Sequence, residues 1–128
     1  MSDKVIFENL QLISESLDLI TKRFSKIKQP DDFVVNDSGI LVLDAIAMRL
    51  QVVGELLKKI DKINNSFLDN YKEITWDKIM RLRDIVSHHY EQVDHEIIYD
   101  ICKNQKVSTT KIQINHCAQI VPVKVKNF

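Results

Sequence analysis

Residues 83–90 read RDIVSHHY, which places an arginine, an aspartate, two histidines and a tyrosine within one short segment. Arginine and histidine together suit phosphodiester cleavage without a metal. A histidine that titrates near neutrality can exchange a proton with the attacking or leaving oxygen. An arginine fork can bind the phosphate and stabilise the charge that develops on it. RNA carries its own nucleophile in the 2′-hydroxyl, so neither a serine nor a cysteine nucleophile is required.

Helical geometry restricts how these groups can meet. Arg83 and Tyr90 are seven apart and share one face; Asp84 and His88 are four apart and share another. The step of five from Arg83 to His88 is about 140° of rotation and about 7.5 Å of rise. The pair converges on one small group if the helix ends near His88, or if the same segment of a second copy faces it. The alternative is a helix end rich in solvated polar groups. A metal site at His88, His89 and His95 is disfavoured, because no His-x-x-x-His pair exists and no acid stands as a third ligand. No glycine-rich phosphate loop is present, and no cofactor is implied.

The elements that must position these residues are helical. Two glycines and two prolines in 128 residues leave little punctuation. Ile6, Leu10, Ile13, Leu17, Ile20, Phe24 and Ile27 recur in steps of four and three, and Pro30 stops that stripe. DDFVVNDSG is a connection in which Asn36, Asp37 and Ser38 can each cap the next helix. A second stripe, Leu43, Ile46, Leu50, Val53, Leu57 and Ile60, runs to about Asn64. The two long helices are expected to pair antiparallel with their stripes facing. Gly54 falls on the apolar side of the second helix, where it costs about 1 kcal/mol relative to alanine and admits close approach of another helix.

NNSFLDNYKEI is a looser connection. Thr75 caps a third helix, opened by Trp76 and carrying Ile79, Leu82, Ile85 and Val86 on its buried side. Asp94 caps a fourth helix with Ile97, Ile98 and Ile101, expected to run to about Lys106. Beyond it VSTTKIQI favours extended structure, and Pro122 forbids a helix through to the end. The fold expected is all-α: a four-helix bundle over 1–106, two long antiparallel helices and two shorter ones, followed by a divergent tail over 107–128.

Composition narrows the function. Lysine plus arginine equals aspartate plus glutamate, at 18 each, so any RNA contact must come from a local cluster rather than a basic excess. Lys58, Lys59 and Lys62 read as the wet side of the second helix. No apolar run reaches membrane-spanning length and MSDKVIFENL lacks the shape of a signal peptide, so the expected location is the cytoplasm, with no membrane partner. Cys102 and Cys117 form no Cys-x-x-Cys pair and read as small apolar residues.

Arg83-x4-His88-x-Tyr90 resembles the R-x4-H-x-Y signature of HEPN domains, in particular the HepT-like toxins of prokaryotic two-gene toxin–antitoxin modules. VVGELLKKI (52–60) is similar to the family's IGEA-type stretch, and TWDKIMRLRDIVSHHY (75–90) to its PWxxIxxxRNxxxHxY stretch. VDHEIIYDI (93–101) continues the likeness, which covers about residues 5–105. The resemblance implies a bundle that forms a homodimer, with two motif copies meeting in a cleft that is a metal-independent ribonuclease site in active members. It implies Arg83 and His88 as the catalytic pair, His88 in acid–base work and Arg83 on the phosphate. Asp84 takes a supporting position often held by asparagine. Tyr90 is implied as the acceptor of AMP transferred by a minimal nucleotidyltransferase antitoxin, which would place bulk and negative charge beside Arg83. The tail after about Lys106 departs from the family's leucine-rich helical ending.

The leading expectation is therefore a dimeric ribonuclease toxin acting on RNA. The alternative is a non-catalytic subunit of a nucleotidyltransferase complex, in which Arg83 and Tyr90 bind nucleotide or partner. A helical dimerisation domain is the plainest reading.

Overall fold

In the computed structural model, residues 2–67, 69 and 94–103 are described. Among them the fold is all-helical, with three α-helices, one 3-10 turn and no strand. The first helix, α1, spans Ser2–Phe24. Its stripe is buried as the spacing requires: Ile6, Leu10, Ile13, Leu17 and Ile20 are each 2% exposed or less. Full burial of one such side chain contributes about 1.5–3 kcal/mol.

The helix stops at Phe24, short of the end of its apolar stripe. Pro30 bars its preceding residue from helical geometry, and Gln29 is extended at φ −150°, ψ 159°. The chain turns before that point, with the Ile27 amide donating to the Phe24 carbonyl at 2.9 Å. Ser25 Oγ donates to the Lys22 carbonyl at 2.7 Å and so satisfies one acceptor of the last turn. Ile27 still enters the core, from a turn rather than from a helix.

The segment after Ile27 does more than connect two helices. Pro30–Phe33 form a 3-10 turn, and Phe33 is fully buried. Asp32 holds this turn: its Oδ2 accepts from the Lys28 amide at 2.8 Å and from the Gln29 amide at 3.2 Å. The Lys28 amide, with Gln29 and the Lys28 charge adding to it, keeps the Asp32 carboxyl below its ordinary range.

The second helix, α2, spans Asp37–Ile63. Of the three candidate caps Asn36 is the one used, its Oδ1 accepting from the Gly39 amide at 2.8 Å. Leu43, Ile46, Leu50, Val53, Leu57 and Ile60 are all buried, and so is Gly54. Asn64 closes the helix, its amide donating to the Ile60 carbonyl. The connection between α1 and α2 is hydrogen-bonded at nearly every step. It is therefore too compact to return the chain along the length of α1, and the two long helices pack antiparallel, stripe to stripe.

Gly39 makes the corner possible. A Cβ there would run into the Asp32 carbonyl oxygen and stand 3.0 Å from the Phe33 backbone. These are backbone atoms of a tight turn and cannot swing aside. The first turn of α2 thus lies directly against Pro30–Phe33, a close approach that the sequence pattern did not mark.

The short helix His95–Lys103 packs over that same corner. Asp94 caps it as expected, Oδ1 accepting from the Glu96 and Ile97 amides at 2.9 and 3.3 Å. Ile98 and Cys102 are its buried residues, and Ile101 is partly buried. Ile97, the third apolar residue expected on this helix, is exposed. A helix of nine residues presents only a narrow stripe to the bundle, and positions 98 and 102 fill it. The third helix expected from Thr75, the end of the fourth after Lys103, and the tail over 107–128 lie outside the described residues.

Candidate functional site

The residues with the strongest chemical case, Arg83, Asp84, His88 and Tyr90, lie outside the described residues, as does His89. The described framework holds the chain on either side of their segment. The chain leaves α2 at Asn64 and is described again continuously from Asp94. His95 Nε2 lies 3.5 Å from Asp31 Oδ1, so Asp94 sits at the α1–α2 corner. A helix of 27 residues is about 40 Å long, so Asn64 and Asp94 stand at opposite ends of α2. The described framework thereby fixes the chain on both sides of the segment that contains the motif.

The corner is built to hold its side of that segment. Tyr99 Oη donates to the Lys28 carbonyl at 2.9 Å, across 71 positions of sequence. Its ring packs on Phe24 at 5.3 Å between centroids, and Phe24 packs on Phe33 at 6.3 Å. Lys103 Nζ stands 5.6 Å from the centre of the Tyr99 ring, within cation–π range. Aromatic contacts of this kind add about 0.5–1.5 kcal/mol beyond their burial. Tyr99 carries no sequence signal for this role, because its partners come from the end of α1 and the connection.

Cys102 bears out its reading as a small apolar residue. It is free and buried, and burial pushes its thiol from an ordinary value near 9 up to about 12. A thiol so disposed is neither a nucleophile nor a ready metal ligand. Among the described residues no group of three histidine, cysteine or acidic side chains is arranged to hold a metal ion. His95, one of the three histidines weighed as ligands, lies against Asp31 instead.

Comparison with known proteins decides the family. The model described as "Ribonuclease HepT-like" matches residues 13–116, well over half of the chain. The chain belongs to the HepT-like ribonuclease family. The matched range takes in the second half of α1, the whole of α2, the whole of RDIVSHHY and the short helix.

Two curated relatives from Methanocaldococcus jannaschii are similar to it. One, named "Putative RNase MJ0127", is 36% identical over 61 residues, 48% of this chain and 48% of the relative. The other, named "Putative RNase MJ1380", is 26% identical over 80 residues, 62% of this chain and 68% of the relative. The chain thus matches about half the length of the first relative. No solved structure matches. Among the described residues no helix is long and apolar enough to cross a membrane.

Proposed function

We propose that this chain is the toxin of a prokaryotic toxin–antitoxin module and a metal-independent endoribonuclease, with Arg83 and His88 as its catalytic pair. The observation that carries the reading is the family match across 13–116, together with an Arg83-x4-His88-x-Tyr90 pattern inside that range. The names of the two relatives point to the same class of activity.

In this reading the RNA 2′-hydroxyl attacks the adjacent phosphorus and the bond to the 5′-oxygen breaks. His88 exchanges a proton with one of these oxygens, and Arg83 holds the phosphate as charge builds on it. In this reading the site is completed in a cleft between two copies of the chain, as the family resemblance implies. Asp84 supports the pair from the neighbouring position. A minimal nucleotidyltransferase antitoxin silences the site by transferring AMP from ATP to the Tyr90 oxygen, with loss of the phenol proton and release of pyrophosphate, which sets a second phosphate beside Arg83. Residues 1–106 form the bundle that carries the site, and 107–128 are a separate tail.

The test is cleavage of RNA by the purified protein with EDTA present, alongside His88→Ala. Loss of cleavage in a variant with unchanged helical circular dichroism supports the assignment. Equal cleavage by both proteins rules it out, and no cleavage by either favours the non-catalytic binding subunit. Intact-mass measurement after co-expression with the adjacent nucleotidyltransferase reads Tyr90 directly: a gain of one AMP is expected, and it is lost in Tyr90→Phe.

A further inference from the structure

The long helix α2 carries a second apolar stripe beside the one that fills the core. Leu41, Ala45, Met48 and Val52 succeed each other in steps of four, three and four, the spacing of a coiled-coil seam. At 100° per residue they fall within an arc of about 60°. Leu41 is 62% exposed and Met48 59%, while Ala45 and Val52 are half-buried. Most of the large apolar side chains exposed among the described residues belong to α2 or its approach, with Val34, Val35 and Ile63 standing at its two ends. Val52 packs against the core, whereas Leu41 and Met48 remain exposed.

Its charges have a direction. Asp37 and Asp44 are exposed beside the stripe near the start of α2, and Lys59 and Lys62 are exposed beside it near the end. Glu55, on the same side, is half-buried and already engaged within the chain. A stripe with an acidic start and a basic end is complementary to itself when reversed. Turned about a twofold axis at Met48, Asp37 of one copy comes opposite Lys59 of the other. The Val34–Val35 end then meets the Ile63 end. Small Ala45 next to the axis lets the helices approach closely, and antiparallel α2 axes also oppose their dipoles favourably. A parallel pairing would set acid against acid and lysine against lysine.

We propose that the outer stripe of α2 seats a second copy of this chain, α2 antiparallel to α2 about a twofold axis at Met48. This rests on the dimeric reading of the site given above and adds the face on which the dimer forms.

Light-scattering mass and sedimentation test it on the full chain. The unmodified protein is expected to be a dimer. Leu41→Glu combined with Met48→Glu is expected to be a monomer with native circular dichroism, because both positions are exposed. A variant still dimeric overturns this face while leaving the dimeric cleft standing. An unmodified protein that is monomeric overturns both the face and the dimeric cleft, and marks the stripe as the seat of a different protein. Cysteine scanning in a Cys117→Ser background then fixes direction. Met48→Cys, at the axis, is expected to cross-link under mild oxidation, whereas Leu41→Cys is not. Cross-linking of both variants indicates a parallel pair and overturns the proposal. Asp37→Lys is expected to weaken dimerisation by about 2- to 30-fold, as for two exposed ion pairs per dimer, and Lys59→Asp is expected to restore it. Failure of that rescue counts against the pairing.

Discussion

At the scale of single residues, Cys102 shows how burial removes reactivity. Cys102 is a buried thiol whose value is raised to about 12; it is protonated throughout the physiological range. With the unfolded thiol near 9, ionisation favours the unfolded chain only above that pH. The contribution of neutral Cys102 to stability is complete below about 9 and falls as pH rises from there toward 12. In a Cys117→Ser background, a thiol reagent at pH 8 should find no reactive group until denaturant is added; prompt labelling of the native protein would contradict this burial. His88 and Arg83 carry the opposite expectation. His88→Ala should lower RNA cleavage by about 10²–10⁴-fold, the usual share of a general acid–base group. Arg83→Lys retains charge but loses the two-pronged fork, so it should remain well below the unmodified protein in the same assay. These residues stand out in the sequence because arginine, histidine and tyrosine have few packing reasons to share one short segment. The Tyr99–Lys28 hydrogen bond was not, since nothing local signals a partner 71 positions away.

At the scale of elements, the two long helices are dictated by periodicity, and the corner between them is not. Every residue of the two expected stripes lies in the core or packs against it. The boundary at Asn64 also agrees with its expectation, since caps are local chemistry. Ile27 keeps the spacing of the first stripe although it enters the core from a turn, whereas Phe33 enters from a 3-10 turn, where no period exists to reveal it. Gly39 escaped notice because its reason is the Asp32 carbonyl packed against it, and not a turn conformation. Gly39→Ala should therefore cost about 1–3 kcal/mol, as an overpacked site does. Asn36→Ala, which removes the cap on the same amide, should cost about 0.5–2 kcal/mol. Urea unfolding of the two variants measures both, and a Gly39→Ala protein as stable as the parent would refute the close approach. Asp32 gives the corner a pH dependence. Its folded value is depressed by the Lys28 amide, so its contribution is present above about 3.8 and lost as pH falls through the lowered folded value.

At the scale of the whole molecule, the corner joins three parts of the chain that meet nowhere in sequence. The end of α1, the first turn of α2 and the short helix converge on Phe24, Phe33 and Tyr99. Asp94, which caps the short helix, comes only a few positions after the segment that contains Arg83, His88 and Tyr90. Anchoring the short helix thus limits where that segment can end, and loosening it should be felt in catalysis before it is felt in global stability. Tyr99→Phe keeps the ring packing and removes one hydrogen bond of about 0.5–1.5 kcal/mol; it should cleave RNA close to the unmodified rate. Tyr99→Ala removes the ring contact with Phe24 as well. Well below its unfolding midpoint it should keep its helical circular dichroism but cleave roughly 10- to 100-fold more slowly, as small misplacements of catalytic groups do. The decisive reading is the ratio of the two variants at one temperature. If Tyr99→Ala cleaves as fast as Tyr99→Phe, the corner supports only the fold, and the position of the motif is set elsewhere in the bundle.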